Sequence, residues 1–114
     1  MRISILGNEE TIKNLKADLE SDGLMTDIHD APGSREQAER LGFDLGGTVV
    51  AIIGTLGTVV TAVELAKLVM AALKRSKSRA LEIKGPTATK TISLEGKTEE
   101  EVVQAVREAL PFLT

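Results

Sequence analysis

The stretch Leu45–Val63, LGGTVVAIIGTLGTVVTAV, carries no charge, and its reading decides the fold. A spanning helix needs about 20 mostly apolar residues, so the run is long enough for a membrane reading. Lys74, Arg75 and Lys77 downstream would then act as a cytoplasmic anchor. Against this, Gly46, Gly47, Gly54, Gly57, Thr48, Thr55, Thr58 and Thr61 make the run a poorer hydrophobe than its lack of charge suggests. The pattern also continues through Glu64 and Lys67, and crossing would leave the flanking strands as two small sheets with open edges. A helix within a globular fold is the preferred reading, with membrane contact the secondary one.

As such a helix, the segment places Leu45, Val49, Ile52, Leu56, Val59, Val63, Ala66, Met70 and Leu73 on one apolar stripe, with spacings alternating between four and three. Gly47, Ala51, Gly54, Thr58 and Thr61 form a second stripe of small residues that would let another backbone come close. Val50, Ile53, Val60 and Leu65 fill most of the remainder. A helix apolar nearly all round is either central or covered by something outside the domain. Gly47, Val50, Ala51, Ile53, Gly54, Thr58 and Val60 are therefore candidate interaction residues.

On the N-terminal side, Arg2–Leu6 alternates and ends at Gly7, as a half-buried strand does. Asn8 can cap a helix whose first turn carries Glu9 and Glu10 and whose stripe is Ile12, Leu15 and Leu19, with Gly23 as the stop. Leu24–His29 reads as a second strand, which suggests a βαβ unit with a right-handed crossover. Ser34 and Gln37 form a capping box for a short helix ending near Gly42.

On the C-terminal side, residues 79–84 and 90–95 each put two aliphatics on one face and make a hairpin about the loop 85–89. Thr98 and Glu101 form a capping box for a last helix that buries Val102, Val106, Ala109 and Leu110. The expected fold is α/β (α+β), a single small domain over residues 1–114 in the order β-α-β-(short α)-long α-β-β-α. Its four-stranded mixed sheet would be packed by helices, the long Gly-rich apolar helix among them.

The composition narrows the function. A formal charge of −3 gives no general attraction to nucleic acid, and two Phe with no Tyr or Trp cannot build stacking platforms for bases or sugars. Without cysteine there is no thiol nucleophile and no disulfide, which suits a reducing cytoplasm. The N-terminal MRISILGNEE lacks the h-region of a secretory signal, so the expected compartment is cytoplasmic.

Candidate chemistry is sparse. Asp27, His29 and Asp30 cluster at the end of the second strand, but a metal site needs further ligands. The glycines match neither GxxxxGK[ST] nor GxGxxG, so no catalytic, cofactor-binding or metal-binding residues are assigned. The knuckle Lys74-Arg75-Ser76-Lys77-Ser78-Arg79 is the dense basic patch. Its cations complement a helix C-terminus, and Lys74, Arg75, Lys77 and Arg79 could also dock an acidic partner or anionic lipid headgroups.

The order of elements, the Pro32-Gly33 turn, the segment LGGTVVAIIGTLGTVVTAVELAKLVMAAL, the knuckle KRSKSR and the strands LEIKG and TISLEG together resemble the small effector-associated constant component proteins of bacterial conflict systems. The resemblance implies a non-enzymatic interaction module working beside an effector protein, with no catalytic residues to carry over. The surplus apolar surface suggests a protein partner or a homo-oligomer, and neither nucleic acid nor a cofactor is expected. A small membrane-associated protein using residues 45–63 is the alternative, and an enzyme with an unrecognised site a further one.

Overall fold

The computed structural model describes residues 1–33, 36, 49–95 and 97–113. Among them the chain runs β1 (Arg2–Asn8), α1 (Glu9–Ser21), β2 (Met25–Pro32), β3 (Val49–Leu56), α2 (Ala62–Ser76), β4 (Ala80–Lys84), β5 (Thr89–Ser93) and α3 (Glu99–Ala109). The five strands form one sheet in the order β2-β3-β1-β4-β5, and every neighbouring pair is antiparallel.

The decisive correction lies in the uncharged stretch. Val49–Leu56 is not the first half of a long helix but the strand between β1 and β2, and the helix begins only at Ala62. Its composition fits that place: Val49, Val50, Ile52, Ile53 and Thr55 are β-branched, and such side chains pack well on a pleated surface. A strand inside a sheet can be apolar on both faces, which removes the alternation that would identify it. Ile52 and Leu56 are buried towards the helices, while Ala51 and Val49 are buried on the other side with Leu6.

Gly57 and Thr58 lead into the turn, and Thr61 caps α2, its hydroxyl accepting from the Glu64 N–H at 3.2 Å. Thr61 and Glu64 are thus a third capping box, set inside the apolar run. Among the described residues no helix is long and apolar enough to cross a membrane. Of the short helix expected from Ser34 to Gly42, Glu36 alone is among the described residues, and it is helical.

Inserting β3 changes the sheet as well. Because β3 is antiparallel to both β1 and β2, those two strands run parallel but are not neighbours, so the expected adjacent βαβ pair is a split one. The sheet has five strands, not four, and is antiparallel, not mixed. The unit β1-α1-β2-β3-α2-β4 is the ferredoxin-like, split βαβ arrangement, to which β5 and α3 add a further strand and helix.

The three helices bury their stripes against one face of the sheet. Ile52, Ile5 and Ile83 sit side by side across β3, β1 and β4, each fully buried. Burying such a side chain contributes about 1.5–3 kcal/mol. Ile12, Leu15 and Leu19 of α1 and Val102, Val106 and Ala109 of α3, together with Leu110, fill the layer above, as their spacing predicts. Asn8 caps α1 through the Glu10 N–H, and Thr98 caps α3 through the Glu101 N–H.

Candidate functional site

The two edges of the sheet differ in what they offer. Along β2 the register slips between Thr26 and His29, where Asp27 sits at φ 54 as an extra residue. The slip lets Met25 and Ile28 both pack on the main core despite their odd spacing. Pro32 has no N–H to give, and Asp30 is held by Lys16 of α1 at 3.3 Å. A bulge, charged side chains and a proline are among the features by which sheet edges resist pairing.

The β5 edge has neither a bulge nor a proline, and its one charged side chain is Lys90. Its ladder with β4 is regular from Lys84↔Thr89 to Ala80↔Ser93. The hairpin closes through the Gly85 N–H, which donates to Ala88 O at 2.9 Å. Gly85 is needed there, since a Cβ would come within 2.5 Å of Ala109 O at the end of α3. The closing bond makes Gly85 and Ala88 a hydrogen-bonded pair, and such pairs alternate along an antiparallel ladder. Ile83–Lys90 and Leu81–Ile92 are therefore bonded, whereas Thr89, Thr91 and Ser93 turn their N–H and C=O groups to the outer edge. Thr89, Lys90 and Thr91 are exposed. On the helix side, Lys90 reaches Glu108 of α3 at 3.1 Å.

Thr89 and Thr91 also border the face of the sheet away from the helices. There Ser4, Ile53, Glu82 and Lys84 line a shallow depression of about 650 Å³ beside the buried Leu6, Val49 and Ala51. Glu82 and Lys84 are its titratable groups, which is little to build acid–base chemistry on.

Compared with known protein families, curated proteins and solved structures, the chain matches none.

The candidate interaction residues do not share one surface. Strand alternation sends Val50 and Gly54 towards the helices and Ala51 and Ile53 to the opposite face. Val60 is buried in the main core, Thr58 is exposed in the turn, and Gly47 lies outside the described residues. The basic knuckle is the C-terminal turn of α2: Lys74 and Arg75 are in its last turn, and Lys77 ends it at φ 54. Arg75 lies 3.4 Å from Asp18 of α1, and Arg79 is exposed but has an interaction of its own.

Asp27 and His29 are separated by the bulge, and no group of three or more His, Asp or Glu side chains that could hold a metal gathers among the described residues. The edge residues Thr89, Thr91 and Ser93 were missed as a site. Their signal was the alternation TKTIS, whose side chains facing away from the helices are all small hydroxyls.

Proposed function

We propose that this chain is a non-enzymatic protein-interaction module, an accessory component that works in the cytoplasm beside an effector protein, as its resemblance to the effector-associated constant component proteins implies. One observation carries the reading. The β5 edge is regular and exposed, and its outward backbone groups are a ready template for another extended chain. Backbone pairing of this kind supplies affinity, and the side chains on either face of the added strand supply selectivity.

The test is affinity capture from the host with the wild-type chain and with Thr91→Pro, followed by mass spectrometry. Thr91 does not donate to β4, so proline there spares the internal ladder and removes the central outward donor. A host protein retained by wild type and lost with Thr91→Pro supports the reading. A chain that captures nothing, a second copy of itself included, or captures equally with both, overturns it.

A further inference from the structure

We infer that the occupant of the β5 edge is the β5 edge of a second copy of this chain, paired antiparallel about a two-fold axis at Thr91. This rests on the reading of that edge as a docking surface and adds the partner and its register. The outward residues Thr89, Thr91 and Ser93 are spaced evenly about Thr91. Placing Thr91 opposite Thr91 of the partner subunit sets Thr89 opposite Ser93, and every outward N–H and C=O in the strand then finds a partner. A two-fold interface of this kind is closed, so it ends at a dimer.

The side chains select this register over its neighbours. On the face away from the helices it aligns threonine with threonine and threonine with serine, pairs that favour adjacent strands. On the helix face it sets Lys90, 3.1 Å from Glu108, opposite Ile92 and not opposite another cation. Sliding by two residues towards the hairpin would put Lys90 directly opposite its own copy, and like charges there repel. Sliding the other way strands the Thr89 backbone groups. The β2 edge, with its bulge and Pro32, offers no equivalent.

The chain has no cysteine, so a single introduced thiol reports the pairing. In a hydrogen-bonded antiparallel pair the Cα atoms are about 5.5 Å apart, within reach of a disulfide. Residue 89 and its copy would be about 14 Å apart along the strands, out of reach. Three full-length variants, Thr91→Cys, Thr89→Cys and Ser93→Cys, are oxidised separately, and the last two are also mixed. Paired strands raise the effective concentration of one thiol at the other, so Thr91→Cys should link at least about tenfold faster than either control alone. The mixture of Thr89→Cys and Ser93→Cys should link across the two variants.

Equal rates for all three overturn the inference, and so does fastest linking by Thr89→Cys or Ser93→Cys alone, which means another register. Equal rates combined with host-protein capture that Thr91→Pro abolishes overturn self-pairing alone and leave the edge to a different chain. Equal rates with no such capture overturn the docking reading as well.

Discussion

The Thr11 and Ser76 hydroxyls lie 2.6 Å apart, joining the first turns of α1 to the last turn of α2 in a part-buried position. Ser76 also lies 2.7 Å from Ala72 O, to which its hydroxyl donates. With that proton committed, Thr11 is the donor in the pair, and Ser76 accepts. The order of donation makes the two ends of the contact unequal.

Thr11→Val removes a donor and leaves the Ser76 hydroxyl bonded to Ala72 O. The expected loss is about 1 kcal/mol, or a fall in Tm of about 4 °C. Ser76→Ala instead strands the hydroxyl of Thr11, which is fully buried, at about 1–3 kcal/mol. Thermal melts of both variants check the asymmetry. A larger loss for Thr11→Val would reverse the assigned direction of donation.

Gly54 faces the bulge of β2, and a Cβ there would meet Met25 Cε at 2.7 Å and Thr26 O at 3.0 Å. The methionine end can swing aside, but the carbonyl belongs to the backbone of the bulge. Gly54→Ala should cost about 1–3 kcal/mol by overpacking, and Gly54→Leu more. An unchanged Tm for Gly54→Ala would mean that the two strands separate freely at that point.

Much of the fold was legible because its helix starts are written in side chains. Asn8 and the pair Thr98 and Glu101 announce α1 and α3, and each cap bond is made. The apolar stripes of both helices lie inward, as their spacing predicts. The middle was misread because a strand buried on both faces and a helix buried all round look alike when only apolarity is counted. Two local signals could have separated them: the crowding of β-branched residues at 49–55 and the Thr61–Glu64 cap. The dispersed candidate site follows from the same error, since Val50, Ala51, Ile53 and Gly54 were assigned a helical period. The edge at Thr89, Thr91 and Ser93 depends on which strands are neighbours and on which hydrogen bonds close the hairpin, and neither is local information.

Lys77 ends α2 in the left-handed conformation, and the Ser78 N–H reaches back to Leu73 O at 3.1 Å. This is the helix stop at which glycine is the usual residue. A residue with a Cβ pays about 1–2 kcal/mol there, partly offset by the greater freedom glycine loses on folding. Lys77→Gly should therefore stabilise the fold by about 0.5–1 kcal/mol relative to Lys77→Ala, which loses the same charge but keeps the strain. Chemical denaturation of the two variants measures the difference. Equal midpoints would show that the turn relaxes without a left-handed residue.

Val59 and Val60 distinguish the two readings of the uncharged stretch. In one long helix Val59 lies on the main apolar stripe and Val60 off it, so a charge at Val59 should do the greater harm. In the strand–turn–helix the order reverses: Val59 is 85% exposed in the turn, and Val60, at 3%, is buried in the main core. Val59→Asp should change stability by no more than about 0.5 kcal/mol, the usual range for an exposed site. Val60→Asp places a carboxylate among aliphatic side chains and should cost on the order of 3 kcal/mol or more, enough to unfold much of a marginally stable domain. Circular dichroism melts of the pair suffice. A damaging Val59→Asp beside a harmless Val60→Asp would return the segment to a continuous helix and remove β3 from the sheet, together with the strand order that makes β2 and β5 its edges.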